Sequence, residues 1–434
     1  MGAKRIFQRI ADGELALSAA LAPFLMFPAL SPYLTAAAAL GVAVLWFARW
    51  IARGAVTRRT PLDGLMLLVM AMLPVAMWAS PMPEQSATAA CRVLLGIALY
   101  FALVNTVTDA RALRRTLWIA LAGGVAIALA GLVTTDWNAD KIPLLEPIYP
   151  VLPNLSHLLG PLASEQDSTP GAFHPNLIGA ALAVLLPVVA ALFVTSRLRA
   201  ARAAIGAGAL IMALVLALTQ SRLGMASLIV ASGVTAWRLK PRWRRWVVGL
   251  VTLAGLAVVL AGPGRVVSAL TANLSAQGFG SWESRVAVWQ GALHVLADFP
   301  YTGIGLSTFY PAATYLYAFD VSPTWAFGHT HQTYLQMGVD FGWVGLVAFV
   351  GMLIVALQIG WPGRNAPAGA ERTVRAGIWT SLLTYALFGV FDGLPLWTKP
   401  GFVIWVLLAW VMIGAGRVRG ANGSLAACEA IDAA

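Results

Sequence analysis

Residues 341–363 read FGWVGLVAFVGMLIVALQIGWPG, a run of 23 residues without a charge. About 20 apolar residues suffice for one helical crossing of a bilayer. A second uncharged run, residues 116–135, has 20 residues, and further runs recur along the whole chain. The pattern predicts an all-α polytopic membrane protein.

The composition excludes the other broad classes of protein. Of the 434 residues, 59% are apolar and 11% are charged, whereas soluble domains have roughly 45–50% apolar and about 25% charged residues. Intrinsic disorder requires low hydrophobicity, so it is excluded as well. Cys91 and Cys428 are the only cysteines, too few for a disulfide framework or a Cys-based zinc site.

The apolar runs predict about twelve spans. The stretch 15–48 is divided at Ser31-Pro32, because proline disrupts a helix interior. The predicted spans are 15–31, 33–50, 62–80, 87–107, 113–134, 173–196, 203–220, 222–238, 246–262, 331–360, 375–392 and 400–416. Residues 1–262 therefore hold spans one to nine with an outer loop at 135–172. Residues 263–330 form a large outer loop with amphipathic helices, 331–416 hold the last three spans, and 417–434 form a disordered tail.

Basic residues predict the orientation. Of the 29 Lys and Arg residues, 23 lie in loops that follow every second span, which marks those loops and both termini as cytoplasmic. The net charge of +11 is thus a topology signal. A nucleic-acid surface is disfavoured, because the charges are scattered over short loops. The two long outer loops are expected to carry the chemistry, and all five histidines lie on that face: His157, His174, His294, His329 and His331.

The first candidate ligand is Arg222, within TQSRLG at residues 219–224. Two apolar runs meet there almost without a loop, so Arg222 is predicted to cap a helical hairpin at the outer surface. One interpretation is an arginine that reaches lipid phosphate. The other, which we favour, is an anion ligand facing the protein, because charges embedded at a membrane are usually functional.

A second cluster is SWESRVAVWQGA, residues 281–292. It predicts an amphipathic helix on the membrane surface, with Ser281 as its N-cap and Arg285 in its first turns. Arg285 is a candidate anion ligand; alternatively it pairs with Glu283 or a lipid headgroup. Arg265 is a similar candidate that could equally be a membrane anchor. The apolar positions with helical spacing are Trp282, Val286, Trp289, Leu293 and Leu296.

Residues 298–306, DFPYTGIGL, hold a Gly-X-Gly pair. It follows a predicted helix and lacks a third glycine, so it is not a dinucleotide motif. Gly303 and Gly305 are expected to form a tight turn.

The third cluster is GHTHQTYLQ, residues 328–336. Thr330 is the predicted N-cap, which puts His331 in the first helical turn. A helix N-terminus is partially positive and favours the neutral imidazole that a general base requires. The alternatives are a hydrogen-bonded loop histidine or a His-X-His metal site, but no third ligand stands nearby. Further candidates to line the same cavity are His174, Asn176, His329 and Gln332.

Together these segments resemble the shared core of the O-antigen ligase and polymerase superfamily. The matching segments are GAFHPN (171–176), Ser221-Arg222, Ser284-Arg285, DFPYTGIGL (298–306), HQTYLQ (331–336) and GWVGL (342–346). Gln332 stands where the family often has Asn, and Asp340 where it often has Glu, which leaves the role of that carboxylate open.

The resemblance implies a GT-C-like enzyme in the inner membrane of a Gram-negative bacterium, with a periplasmic active site. Members of the superfamily use a glycan on undecaprenyl pyrophosphate as donor, without nucleotide, metal or other cofactor. A ligase transfers it to lipid A-core. The arginines would then bind pyrophosphate, and His331 would be the general base of an inverting transfer.

Three alternatives remain. A polymerase of the same superfamily extends the glycan itself; the His-containing motif and the compact outer loop favour the ligase. Members that glycosylate protein usually carry a larger C-terminal region than the 18 residues at 417–434. A lipid or polysaccharide transporter predicts charges deep within several spans, and only Arg92 lies clearly inside an apolar run.

Overall fold

The computed structural model describes residues 2–135, 137, 148–153, 155, 175–239, 244–261, 282–317, 329–363 and 369–416. Its helices before the first long loop are α1 (Gly2–Asp12), α2 (Glu14–Met26), α3 (Pro32–Arg53), α4 (Asp63–Trp78), α5 (Pro83–Thr106) and α6 (Ala110–Thr134). The middle helices are α7 (Pro175–Thr195), α8 (Arg199–Leu218), α9 (Arg222–Leu239), α10 (Arg244–Ala261), α11 (Trp282–Asp298) and α12 (Phe309–Leu316). The last are α13 (Thr333–Gly360), α14 (Ala370–Phe391) and α15 (Val403–Gly414).

This architecture confirms an all-α polytopic membrane protein. Among the described residues, seven helices are long and apolar enough to cross a membrane: α3, α5, α6, α7, α8, α13 and α14. The shorter helices α2 and α4 and the segment Pro400–Gly414 are also apolar. A helix lies at each of the twelve predicted positions, but the number of crossings stays a prediction.

The N-terminal boundaries differ slightly from the prediction. The first predicted span, 15–31, ends earlier, at Met26, and is followed by a single 3-10 turn, Pro28–Leu30. Ser31 Oγ then accepts a hydrogen bond from Leu34 N (3.3 Å) and caps α3. Helix α1 is an additional helix, which its many charges hide from a search for apolar runs.

Helix α7 forms the centre of the bundle, where it packs against α6, α8, α9 and α14. Small residues permit the close approach of these helices. A Cβ on Gly377 of α14 would lie 2.5 Å from the Cβ of Ala191, and one on Gly179 would lie 2.5 Å from Ser221 Cβ. The packing brings the first turn of α7, the first turn of α9 and the last turn of α14 to the same end of the bundle.

A break in α13 docks the loop that follows α11. Gly342 has a φ of +69° within the helix, and Trp343 N donates to Pro300 O (2.7 Å) across the break. Ile304 N donates to Val339 O (2.8 Å). Gly303 and Gly305 both have positive φ, which agrees with the predicted tight turn and fixes α11 against α13.

Helix α11 forms where the second cluster predicts a helix, but its buried face is different. Val288, Ala292 and Val295 are buried against the docking loop and α13. Leu293, which was predicted to lie on the apolar face, is 53% exposed. Helix α11 thus packs on protein through this face, and its predicted position on the membrane surface stays a prediction. Its predicted cap, Ser281, lies outside the described residues.

Candidate active site

Asp392 is the centre of the candidate site. It directly follows α14, and 3% of its surface is exposed. Its Oδ1 lies 3.2 Å from His331 Nδ1 and accepts a hydrogen bond from Gly393 N (2.9 Å). Its Oδ2 lies 3.5 Å from Asn176 Nδ2 and 3.6 Å from Arg285 Nη2. One carboxylate thus joins side chains from α7, α11 and the segment before α13.

These partners hold Asp392 in its ionised form. Burial alone would raise the pKa of this carboxyl. The hydrogen bond from His331 and the positive charge of Arg285 outweigh burial, so the pKa of Asp392 lies well below its usual range. An ionised carboxylate accepts the proton on Nδ1 of His331, which makes Nε2 the basic nitrogen of the neutral ring.

His331 lies outside the helix that was predicted to contain it. Its φ is +52°, and α13 begins at Thr333. Gln332 is the N-cap instead of Thr330, since Gln332 Oε1 accepts a hydrogen bond from Leu335 N (2.8 Å). His331 therefore precedes the helix, and its ring contacts the Asp392 carboxylate. Gln332, a predicted cavity residue, has this capping role.

His329 contacts His331 directly. Its Nδ1 accepts a hydrogen bond from His331 N (3.1 Å), and the two ring centroids are 4.5 Å apart. A Cβ on Gly393 would lie 2.7 Å from His329 Nδ1, so only glycine fits there. Trp289 Nε1 donates to Thr330 O (3.1 Å). His329 therefore supports the unusual backbone conformation of His331.

Arg285 is bound to the end of α14. Its Nη1 donates to Phe391 O (2.7 Å), and Nη2 faces Asp392. Its Nε is buried and has no hydrogen-bond partner among the residues that the structure describes, and 17% of its side chain is exposed. Of the partners considered from the sequence, the side chain of Glu283 lies outside the described residues. Arg285 thus lies in the candidate site with one donor unused.

Arg222 begins α9 at the same level as Asp392. Helices α9 and α14 are antiparallel and are joined by a hydrogen bond between Thr235 and Thr380 (2.7 Å). At 1.5 Å per residue, Arg222 and Asp392 both lie roughly 18–20 Å from that contact along their helices. The hairpin turn before Arg222 is buried. The structure thus brings Arg222 to the end of the bundle where Asp392 lies.

Residues 207–350 match the family model described as O-Antigen ligase. This match supports membership of the O-antigen ligase and polymerase superfamily. Comparison with curated proteins gives no match. The matched region contains Arg222, Arg285 and His331, whereas Asp392 lies beyond it.

Two predicted site residues, Arg265 and His174, lie outside the described residues. Within the described part, no three His, Cys, Asp or Glu side chains form a group that could hold a metal ion.

Asp340 occupies a separate, fully buried position in the O-antigen ligase domain, with no exposed surface. Its oxygens accept hydrogen bonds from Ser307 N (3.2 Å), Gln336 Nε2 (2.8 Å) and Trp397 Nε1 (2.7 Å). Gln336 in turn accepts a hydrogen bond from Thr330 N (2.7 Å). Asp340 therefore ties the docking loop, α13 and the segment before α15 together.

The sequence interpretation missed one residue of the candidate site, Asp392. It is 61 residues from His331 and stands in no cluster of polar residues. The available signal was its place, because it is an acidic residue in Asp-Gly at the outer end of a predicted span. Polar residues at such a position are candidates for function.

Proposed function

We propose that the protein is an O-antigen ligase. It transfers a polysaccharide from undecaprenyl pyrophosphate to a sugar hydroxyl of lipid A-core at the periplasmic face. The observation that carries this proposal is the His331–Asp392 pair, with Arg285 beside it. Such a pair supplies a proton acceptor next to a cation, which transfer from a pyrophosphate donor to a hydroxyl requires.

His331 acts as the general base. A sugar hydroxyl is a poor nucleophile until its proton is leaving, and general-base assistance accelerates such reactions roughly 10²–10⁴-fold. Asp392 holds Nδ1–H and stabilises the imidazolium that forms when Nε2 takes the proton, as the aspartate of a serine-protease triad does. Asn176 and Gly393 N donate to the same carboxylate and fix its orientation.

The arginines stabilise the departing pyrophosphate. Guanidinium groups are permanently charged and offer planar pairs of donors to phosphate oxygens. Among the described residues, Arg285 Nε has no hydrogen-bond partner, and Arg222 begins α9 at the same end of the bundle. Arg265 is the third proposed ligand. Because the donor's pyrophosphate linkage already makes transfer favourable, we propose direct, inverting attack without a metal or other cofactor.

The topology belongs to the same proposal. Both termini are cytoplasmic and the candidate site faces the periplasm of a Gram-negative inner membrane, as the basic loops indicate. A reporter that is active only in the periplasm should be active when fused near Asp140 or Gln277 and silent at the C-terminus. Activity at the C-terminus would require an odd number of spans and would contradict this orientation.

A transporter requires charged residues deep within several spans, whereas the proposed enzyme does not. Arg92 lies deep in α5 and is 4% exposed, and its Nε donates to Met26 O (2.9 Å). This contact satisfies the carbonyl end of α2, which is a structural role. It therefore supports no path for a charged solute across the bundle.

The test is a reaction in detergent, where transport has no meaning, with one defined lipid-linked donor and two acceptors. A ligase joins the donor glycan to lipid A-core, and a polymerase joins it to the free lipid-linked repeat. The His331→Ala variant is the control for activity from contaminating enzymes. Transfer to neither acceptor by the pure, folded protein would contradict the proposal and favour a transporter.

A further inference from the structure

A second polar site lies at the opposite end of the bundle from the candidate active site. Near the start of α5, Ser86 Oγ donates to Leu306 O (2.9 Å), in the loop that docks on α13. Asn105 is 19 residues further along α5, which is roughly 28 Å at 1.5 Å per residue. A cavity of about 400 Å³ opens beside Asn105, so it lies on the other membrane face.

The cavity is lined by three arginines, Arg49, Arg53 and Arg58. Arg49 Nη1 pairs with Glu14 Oε2 (3.2 Å), and Arg53 pairs with Asp12 at the exposed rim. Among the described residues, no carboxylate lies within ion-pair distance of Arg58. The cluster therefore carries a surplus positive charge. Burial and, after it, the charge of Arg53 lower the pKa of Arg58, as expected for cations held together.

The carboxylate of Glu14 is occupied by contacts with Arg49 and Asn105. Glu14 is 1% exposed and accepts hydrogen bonds from Arg49 and from Asn105 Nδ2 (3.0 Å to each oxygen). Arg49 itself is 7% exposed, and within the described part of the chain its buried Nε has no hydrogen-bond partner. Asn105 Oδ1 accepts a hydrogen bond from Arg58 N (2.9 Å), which fixes the Arg58 backbone at the cavity. The site is thus built, and it retains donors.

We propose that this cavity binds a phosphate-bearing anion at the cytoplasmic membrane face. A cavity of this size is within the usual range for small-ligand sites, roughly 300–1,000 Å³. Guanidinium groups match phosphate oxygens, and basic pockets between helices on the cytoplasmic side suit anionic lipid headgroups. The same chemistry would also accept free phosphate. The proposal is independent of the transfer reaction at the outer site.

The test compares Arg58→Gln with Arg59→Gln in the purified, delipidated protein. Both changes remove one positive charge; Arg59 is exposed and does not line the cavity. No carboxylate of the described residues pairs with the Arg58 side chain, so the protein should still fold. Thermal unfolding is followed while phosphatidylglycerol, phosphatidylcholine or inorganic phosphate is titrated.

Phosphatidylglycerol should raise the unfolding temperature of the wild type and of Arg59→Gln at similar concentrations. Arg58→Gln should require about fivefold more lipid, the effect of losing one basic contact to an anionic lipid. The same Arg58-dependent shift with inorganic phosphate alone would identify a soluble phosphate as the ligand. Equal titrations for Arg58→Gln and Arg59→Gln in every arm, or no shift with any anion, would overturn the proposal.

Discussion

Replacing Asp392 with Asn tests the central feature of the candidate site. The change keeps the shape of the side chain but removes the charge that faces His331 and Arg285. Hydrogen bonds to charged groups contribute about 1.5–3 kcal/mol. If one such bond stabilises the imidazolium in the transition state, its loss slows transfer about 10- to 150-fold. An amide nitrogen turned toward Nδ1 would favour the wrong tautomer and move the loss to the upper end.

The assay is the initial rate of transfer with a defined lipid-linked donor in detergent, from pH 5 to 9. The pKa of Asp392 lies well below its usual range, so the carboxylate stays ionised throughout. Any stability it provides is lost only as the pH falls through that depressed value. A general base loses its activity as it takes up a proton, so the two proteins are compared at the upper end of this pH range, where the wild type should be faster than Asp392→Asn. Equal rates there would refute the role of Asp392 beside the base.

Asp298→Asn is the matched control for this variant. Asp298 ends α11 on the same side of the bundle, and Tyr317 OH donates to its Oδ2 (2.5 Å). This carboxylate does not contact His331, so the variant should transfer at close to the wild-type rate. Wild-type activity in a folded Asp392→Asn protein would show that His331 does not depend on Asp392.

Three further predictions follow from the same contacts. His331→Ala should lower the transfer rate about 10²–10⁴-fold, and His329→Ala should lower it less, because His329 only supports the His331 backbone. Full activity in His331→Ala would mean that another residue is the base. Loss of wild-type activity with excess chelator would indicate a metal site. Arg285→Lys and Arg222→Lys keep the positive charge but lose the paired donors of the guanidinium group. Both variants should therefore lower the transfer rate, within the roughly 100- to 1,000-fold range seen when a charge-stabilising donor is lost. Normal rates in both variants would exclude two-point binding of pyrophosphate. Asp340→Asn should lower the free energy of unfolding by about 1–3 kcal/mol, because in either orientation the amide NH₂ group would face a buried hydrogen-bond donor. Denaturation in detergent measures this change. An unchanged free energy of unfolding would mean that stability does not require this network.

The positions of the helices were predictable from the sequence because burial in lipid leaves long uncharged runs. The α2–α3 boundary followed from Ser31-Pro32, where the cap and the proline act locally. Helix α1 was missed, since its charged and apolar residues alternate within 11 residues. The buried face of α11 was also missed, because it depends on the loop at Gly303 docking into the break at Gly342.

The chemistry of the candidate site was harder to predict for the same reason. His331 and Arg285 stand in recognisable local motifs, whereas Asp392 contacts them only after α7, α13 and α14 have packed. The helical position predicted for His331 relied on Thr330 as the cap. Gln332 provides the cap instead. His331 has a positive φ and contacts both His329, two residues earlier, and Asp392, which is 61 residues away and outside any local pattern.

The two buried carboxylates of α13 and α14 differ in their partners, and this difference separates chemistry from scaffolding. Asp340 accepts only from neutral donors, an amide, an indole and a backbone N–H. None of these donors changes its protonation state during a reaction, so this network can only hold elements together. Asp392 faces an imidazole and a guanidinium. A carboxylate that contacts both a group that gains a proton and a permanent cation can stabilise the positive charge that forms during a transfer reaction. The local partners of each carboxylate, rather than its depth in the bundle, therefore make Asp392 the functional candidate.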